Sequence, residues 1–351
     1  MMKTCLQAVL AMSLGASSLA PAGEATYYTP TPVSGKYDAA VALNNAGLVA
    51  VNNRDTNVPY RIGYISTFPM STSVGTLGGS DSVIRAINDN NDAVGESTTA
   101  DGASHAFLFA RGRLHDLTAE HGIVSAAALN DRGEVAGSDV DGRAADLRNG
   151  KVDAFGPPGS GAAGINDAGD VVGDYFLNGL SYRAFSYSLG RFTDLGTLGG
   201  GYSSAAAVND EGAVVGTSYT ADGRRHAFLY ENGTMTDLTP VANNSAAVDI
   251  NDLGQVVGTA DNQPFLYDNG RLVNPNTLLV PNAYWRITTP IAINDAGQIL
   301  SNGCDSQGFC YVTSRFDPVP AVPEASGAAM QLAGIATLAA VFARKWRRRL
   351  P

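Results

Sequence analysis

The feature that most constrains the fold is a short phrase that recurs seven times at nearly constant spacing. Four copies read AINDNNDAVGES, GINDAGDVVGDY, AVNDEGAVVGTS and DINDLGQVVGTA, and an asparagine marks every copy. These asparagines are 36 to 44 residues apart: Asn44, Asn88, Asn130, Asn166, Asn209, Asn251 and Asn294. Because a unit of this size cannot bury its apolar faces alone, the repeat predicts one array of mutually packed units.

Each copy predicts a hairpin. Apolar and small residues alternate before the asparagine, Asn and Asp open a turn, and a glycine follows three residues later, as at Gly212. The second copy has Asn91 there, the next best residue for a positive φ. A Val-rich strand comes next, which we expect to end at a glycine in the internal copies: Gly95, Gly137, Gly173, Gly216 and Gly258. Val51 and Ser301 take this place in the terminal copies, where deviation is expected.

A second hairpin follows the first in most copies. Its clearest forms are HAFLFARGRLHDL, RAFSYSLGRFTDLGTLGG and HAFLYENGTMTDL, in which aromatic and apolar residues flank a turn of the Asn-Gly type. Four short strands in a repeat of about 42 residues suit a blade of a β-propeller. We therefore predict an all-β chain, with seven blades of four antiparallel strands over residues 38–317. A β-solenoid and two stacked sandwiches are the alternatives.

Composition agrees with many short strands and limits the partners. The chain has 40 glycines, 44% hydrophobic residues and 16% charged residues, which favours tight turns over long helices. Its formal charge is −10, although five of its 23 basic residues lie in the last eight positions. The remaining body is strongly acidic and repels phosphate, so we expect no nucleic-acid partner.

The N-terminal sequence predicts export. Residues 1–22 carry Lys3, then a short apolar run and small residues, which is the pattern of a signal peptide. We place the cleavage between Ala22 and Gly23. Residues 23–37 form an N-terminal segment, and we hypothesise that Ala25–Val33 closes the ring by pairing with the last blade.

The C-terminal sequence predicts a membrane anchor. After a linker at 318–324, Ala325–Ala343 is 19 residues long and has no charge, so as a helix it is just long enough to cross a bilayer. The basic tail, residues 344–351, is expected in the cytoplasm and the body outside. Together the two ends predict an exported protein of the outer cell surface or the extracellular space, anchored transiently or permanently.

This tail resembles the PEP-CTERM sorting signal of Gram-negative bacteria. Val322, Pro323 and Glu324 match its motif, while Ala325 replaces the second proline. The resemblance implies an exosortase as the processing partner and export linked to exopolysaccharide. Whether the tail is cleaved stays open.

The repeats themselves resemble the HAF repeat family of bacterial exported proteins. The resemblance rests on His105-Ala106-Phe107, His226-Ala227-Phe228, the GTLGG segments and the Asn-Asp-x-Gly phrases. Arg183 and Gln263 replace the histidine in other copies. The family implies a repeat scaffold and no particular reaction. We interpret the GTLGG segments, at Gly75–Gly79 and Gly196–Gly200, as turns between blades.

We identify no catalytic residue and no required cofactor from the sequence. Asn88–Asp92 and Asp139–Gly142 are the best calcium candidates, but neither matches a calcium loop and both suit turn capping. The histidines lack the paired spacing of zinc ligands, and we expect those of the HAF phrases to bond neighbouring turns. The histidines are His105, His115, His121 and His226.

Two cysteines remain after the leader is removed, Cys304 and Cys310. They flank the predicted turn of the last blade. Because an exported chain meets oxidising conditions, we predict a disulfide between them, with two free thiols as the alternative.

The predicted function is that of a non-enzymatic binding module, with exopolysaccharide or another surface protein as the ligand. An exported hydrolase or lyase acting on glycans is one alternative. It predicts one blade with acidic or histidine residues that the other blades lack. The other alternative is a structural matrix protein without a specific ligand. The sequence does not assign ligand-binding residues.

Overall fold

The computed structural model describes residues 26–33, 38–55, 57–58, 60–66, 70–177, 181–281, 283–305 and 312–320. The chain divides into a unit spanning Tyr28–Pro318 and a unit made of Met1–Tyr27 and Val319–Pro351, nearly all of which lies outside these ranges. Also outside are the predicted cleavage site, sorting motif, membrane helix, basic tail and Cys310. Within the described ranges, no helix combines the length and apolar character needed to cross a membrane.

Tyr28–Pro318 forms a seven-bladed propeller in which every blade is a four-stranded antiparallel sheet. Blade 1 contains β2 (Asp38–Leu43), β3 (Val49–Asn53), β4 (Gly63–Ser66) and β5 (Ser71–Ser73). Blade 2 contains β6 (Gly78–Ile87), β7 (Ala93–Thr99), β8 (Ser104–Ala110) and β9 (Arg113–Asp116). Blade 3 contains β10 (Ile123–Leu129), β11 (Val135–Asp139), β12 (Ala144–Arg148) and β13 (Lys151–Phe155).

The next three blades repeat this order from the inner to the outer strand. Blade 4 contains β14 (Gly161–Ile165), β15 (Val171–Leu177), β16 (Ser181–Ser188) and β17 (Arg191–Gly196). Blade 5 contains β18 (Gly199–Val208), β19 (Val214–Thr220), β20 (Arg225–Glu231) and β21 (Thr234–Asp237). Blade 6 contains β22 (Ser245–Ile250), β23 (Val256–Ala260), β24 (Gln263–Asp268) and β25 (Arg271–Val273).

Blade 7 joins the two ends of the propeller. It contains β26 (Trp285–Ile293), β27 (Ile299–Asp305), β28 (Val312–Pro320) and, as its outermost strand, β1 (Thr26–Pro32). Val33 N–H donates to the Thr313 carbonyl at 3.2 Å, and the Thr31 hydroxyl donates to Asp317 at 2.8 Å. The hypothesis of ring closure by the N-terminal strand is therefore confirmed, and the sheets extend beyond the predicted span of 38–317.

The apolar core lies between blades and not within one of them. Seven buried clusters fill the gaps between neighbouring blades, including the gap between blades 7 and 1. Phe107, Phe185 and Phe228, the aromatic residues of the HAF phrases, are completely buried there. Since each sheet buries its faces against its neighbours, the physical premise of the repeat interpretation holds, and neither a solenoid nor stacked sandwiches forms.

The predicted strand ends at glycine are wrong. Gly95 and Gly216 lie inside β7 and β19, and the corresponding glycines of the other internal blades are equally central. Here the inner strand bulges and the two backbones approach closely: a Cβ on Gly216 would lie 2.1 Å from the Ser204 carbonyl oxygen. Glycine thus allows close backbone contact at this position and does not end the strand.

Among the described residues, two short helices depart from a purely β arrangement. Helix α1 (Leu117–His121) follows β9, and a 3₁₀ helix (Pro275–Leu278) follows β25. Both lie in connections between blades. Asp116 caps the first by accepting from Ala119 N–H, and Asn274 caps the second by accepting from Asn276 N–H.

Candidate functional site

The seven repeat asparagines form a closed ring around the propeller axis. Each is 4–5% exposed, and each side-chain amide donates to the backbone carbonyl of the asparagine in the next blade. The distances run from 2.9 to 3.1 Å, and the last bond, from Asn294 to Asn44, joins residues 250 positions apart. The side-chain oxygen also accepts a backbone N–H of its own turn, as from Ala213 to Asn209 at 2.8 Å. The repeated asparagine therefore stabilises both its turn and the contact between blades.

A second ring, of carboxylates, surrounds the mouth of the axial channel. The residue after each asparagine accepts a hydrogen bond from the backbone N–H of its counterpart in the preceding blade, as in Asp167 to Asp210 at 2.8 Å. Six members are aspartates and the seventh is Asn45. The cavity at this mouth measures about 240 Å³. Six carboxylates make this opening electronegative, and desolvation together with the neighbouring carboxylates raises the pKa of Asp131 and Asp252.

Blade 6 adds one carboxylate to the channel wall. Asp249 stands two residues before its repeat asparagine, where the other blades have Ala or Gly. It accepts hydrogen bonds from Ile293 N–H in blade 7 at 2.8 Å and from Ile250 N–H at 3.0 Å. Burial, with a smaller effect from the Asp295 carboxylate, raises the pKa of Asp249 from 3.8 to about 7. This group therefore changes charge near neutral pH.

The histidines of the two HAF phrases each bind an aspartate on the adjacent strand. His105 Nδ1 lies 2.8 Å from Asp116, and His226 Nδ1 lies 2.7 Å from Asp237. His226 is completely buried, and its Nε2 lies 2.9 Å from the Ala242 carbonyl oxygen. The sequence predicted a bond to a neighbouring turn but missed the aspartates. The recurring Asp-Leu at the end of each phrase could have indicated them. Both ring nitrogens of His226 are engaged, so its role is structural.

Blade 3 contains the kind of acidic pair that the hydrolase alternative requires. Asp146 and Asp153 are directly opposed across two strands, where blades 1, 2, 5 and 6 pair an apolar residue with Thr, His or Val. Asp146 is 1% exposed and is bound to Arg148 at 2.6 Å, while Tyr187 donates to Asp153 at 2.6 Å. Burial raises the pKa of Asp146. Both aspartates line a cavity of about 300 Å³ together with Arg148 and Lys151, and within it the Asp146 carboxylate is almost completely buried.

A row of aromatic side chains lies on the face opposite the asparagine ring. Phe176 and Tyr182 face each other across β15 and β16 of blade 4, with ring centres 5.2 Å apart. The ring centres of Tyr182 and Tyr202 of blade 5 are 6.3 Å apart, and those of Tyr202 and Tyr219 are 5.2 Å apart. We call these four residues the aromatic row. Phe176, Tyr182 and Tyr219 are 40–42% exposed, so the row is a surface feature that spans two blades.

The aromatic row is specific to blades 4 and 5. Phe176 and Tyr219 both stand ten residues after their repeat asparagines. The other blades have no aromatic residue at that position: they have Arg54, Thr98, Val140, Asp261 and Cys304. A repeat that served only to build the scaffold would not need exposed rings in two adjacent copies. Contiguous exposed apolar surface of this kind is typical of an interaction site.

The predicted calcium candidates cap turns. Asp139 accepts backbone N–H groups from Asp141 at 3.0 Å and Arg143 at 2.8 Å, and it also binds the Arg143 guanidinium. Asn88 likewise accepts from Asn90 and Asp92 within its own turn. Across the described ranges, no group of three or more His, Cys, Asp or Glu side chains is placed to hold a metal ion.

Two further predictions concern the connections and the cysteines. Both GTLGG segments connect blades, and in each the threonine hydroxyl donates to a glycine carbonyl at 2.9 Å, from Thr76 to Gly79 and from Thr197 to Gly200. Cys304 is disulfide-bonded. Its pairing with Cys310 stays a prediction, because Cys310 lies outside the described residues.

No protein-family model matches the chain, and no curated protein sequence matches it either. Solved structures do match, at low identity. The β-propeller domain of the Trilobed protease from Pyrococcus furiosus is 11% identical, with a TM-score of 0.52, over 82% of this chain and 95% of that domain. An acylaminoacyl peptidase from Pyrococcus horikoshii is 10% identical, with a TM-score of 0.52, over 88% of this chain and 54% of the peptidase.

TolB from Acinetobacter baumannii is also similar, at 14% identity and a TM-score of 0.45. The match covers 82% of this chain, which spans 65% of the length of TolB. Because their identities are so low, the two matches with a TM-score of 0.52 show the propeller fold alone. The Pyrococcus furiosus domain is described as having an open velcro topology, whereas in this chain β1 completes blade 7.

Proposed function

We propose that this chain is an exported, non-enzymatic β-propeller that binds a glycan through the aromatic row. The continuous contact of these four rings, three of which are exposed (Phe176, Tyr182 and Tyr219), is the observation that carries the proposal. The apolar C–H faces of sugar rings stack on aromatic side chains, and the contact releases water from both surfaces. Successive rings about one sugar unit apart suit an extended chain better than a single small molecule.

The sequence supports export to the cell surface. The leader at 1–22 and the tail at 322–351 carry the features of a signal peptide and of a PEP-CTERM-like sorting signal. In this proposal an exosortase-type enzyme processes the tail, and the propeller is held at the membrane or released into the extracellular matrix. Exopolysaccharide is then the ligand that the protein meets in its own compartment.

The test combines a glycan array with titration of purified full-length chain. We expect saturable binding to an extended polysaccharide without release of shorter products. Tyr182→Ala and Tyr219→Ala should each weaken binding roughly threefold to tenfold, as expected when one aromatic contact is lost. Tyr284→Ala is the matched control, since Tyr284 is 72% exposed and lies outside the row.

Three outcomes separate the proposal from its alternatives. Product formation would favour a hydrolase or lyase. No binding to any glycan would favour a matrix protein without a specific ligand. Binding that Tyr284→Ala weakens as much as Tyr219→Ala would show that the row is not the site. Thermal unfolding of each variant checks that the fold is intact.

A further inference from the structure

A second surface, on the face of the asparagine ring, combines positive charge with a large groove. The groove measures about 670 Å³ and lies between the outer hairpin of blade 2 and the Asn130 turn of blade 3. Arg111, Arg113 and His115 line it from blade 2, and Arg132 lines it from blade 3. We call these four residues the arginine groove. It lies on the opposite face from the aromatic row and does not depend on the function proposed for that row.

The three arginines of this groove are among several arginines of the described residues that form no ion pair. Arg143, Arg148, Arg224 and Arg315 each form an ion pair with an aspartate. Within the described ranges, no ion pair involves an arginine of the groove. The chain as a whole carries a charge of −10, so carboxylates are abundant. Three guanidinium groups and two carboxylates line the groove, so it keeps an excess of positive charge, which suits an anion.

The backbone conformation of Arg111 also supports a binding role for the groove. Arg111 has a φ of 52° and forms, with Gly112, the turn between β8 and β9. Asn149, Asn232 and Asn269 take this place in three other blades, with φ near 50°, and Leu189 takes it in blade 4. Asparagine adopts this left-handed conformation more readily than arginine does. Arginine at this position is therefore less favourable for stability than asparagine.

The rest of the groove limits the chemistry of the ligand. Leu108 and Ala110 supply an apolar floor, and Asp92 and Asp131 line the groove together with the arginines. A guanidinium binds a planar carboxylate through two parallel hydrogen bonds. The aspartates can accept hydrogen bonds from hydroxyl groups, and they repel a ligand that is densely anionic. A sugar with one carboxylate, several hydroxyls and an apolar C–H face meets all three requirements.

We propose that the arginine groove is a binding site for a carboxylated sugar, a uronic acid residue of an acidic glycan. The guanidinium groups bind the carboxylate, the aspartates bind hydroxyls, and the apolar floor contacts the ring. Binding neutralises cations that the protein itself leaves unpaired.

The experiment titrates purified full-length chain with an oligogalacturonate and with the same oligomer after methyl esterification, which turns each carboxylate into an uncharged ester and keeps the sugar backbone. We expect binding of the acid at least tenfold tighter than of the ester, and a further loss of affinity as salt is raised. The double variant Arg111→Asn, Arg132→Gln should lose at least tenfold in affinity for the acid. Arg271→Gln is the matched control, because Arg271 follows the same hairpin turn in blade 6, outside the groove.

Arg111→Asn also separates binding from folding. Since asparagine suits the left-handed turn, this variant should unfold at the same or a higher temperature than wild type while its affinity for the acid falls. Equal affinity for acid and ester would overturn the proposal, as would failure to bind either. So would equal effects of the double variant and Arg271→Gln. Displacement of the oligogalacturonate by equimolar inorganic phosphate or dextran sulfate would overturn the assignment to a carboxylated sugar, since it would show a general oxyanion site.

Discussion

Removing one member of the asparagine ring tests whether the blades are held together by the repeated phrase. Asn209 is 5% exposed; its amide donates to the Asn251 carbonyl at 3.1 Å, and its oxygen accepts Ala213 N–H at 2.8 Å. Alanine removes both bonds. The Asn251 carbonyl keeps the bond from Gly254 N–H, but no other acceptor for Ala213 N–H is found among the described residues.

The expected cost follows from these contacts. Each lost hydrogen bond contributes about 1 kcal/mol, and a buried unpaired N–H adds about 1–2 kcal/mol, so Asn209→Ala should lower the free energy of unfolding by roughly 3 kcal/mol. That corresponds to a fall of roughly 5 °C in Tm for a domain of this size. Urea unfolding followed by circular dichroism measures the first quantity, and calorimetry measures the second.

Asn209→Asp removes the bond between blades but keeps the bond within the turn. Aspartate keeps the acceptor for Ala213 N–H but directs an oxygen at the Asn251 carbonyl, and it buries a charge. At pH 7 the loss of stability should therefore exceed that of alanine. The folded state should hold the proton more tightly than the unfolded chain, whose pKa is about 3.9. Relative to wild type, this variant should thus be most stable in acid and should lose stability as pH rises above that value.

Asp210→Asn serves as the control for this series. Asp210 is exposed and accepts Asp167 N–H at 2.8 Å, an acceptor role that asparagine retains, as Asn45 does in blade 1. Asp210→Asn should change the free energy of unfolding by no more than about 0.5 kcal/mol. The reasoning is refuted if Asn209→Ala costs no more than this control, or if Asn209→Asp shows the same pH dependence as wild type.

Two further predictions concern a glycine and a carboxylate. Gly216→Ala places a Cβ 2.1 Å from the Ser204 carbonyl oxygen and should cost about 1–3 kcal/mol in urea unfolding. Gly161→Ala, whose Cβ would meet nothing within 4 Å, should be nearly neutral, and equal effects of the two would contradict the role assigned to close backbone contact. Asp249 has a pKa raised from 3.8 to about 7, so the folded state binds its proton more tightly and stability should fall as pH rises between these values. Because the group lines the axial channel, we expect the free energy of unfolding to fall by roughly 2–4 kcal/mol over this pH range. Asp249→Asn should not show this fall. A wild-type minus variant difference that stays constant from pH 4 to pH 8 would contradict this.

The sequence by itself determined the blades, because the features that build a blade are local. Strand alternation, hairpin turns and the positive φ three residues after each repeat asparagine are encoded within a few residues. Asn91 adopts a φ of 65° where the other copies have glycine, as expected from its side chain. The number of copies then determined seven sheets. The leader and tail are equally local patterns, and their roles in export stay predictions.

Only the tertiary structure decided which residues of different blades meet. Sequence showed that Asn209 recurs but not that its amide binds the next blade, because that bond depends on the angle between sheets. The same holds for Tyr182 and Tyr202, which become neighbours only when blades 4 and 5 pack. The prediction that the strand ends at Gly216 was wrong. Local propensity takes glycine to end a strand, whereas here two backbones approach too closely for any Cβ. Contacts across blades carry no local signature, and the candidate sites consist of such contacts.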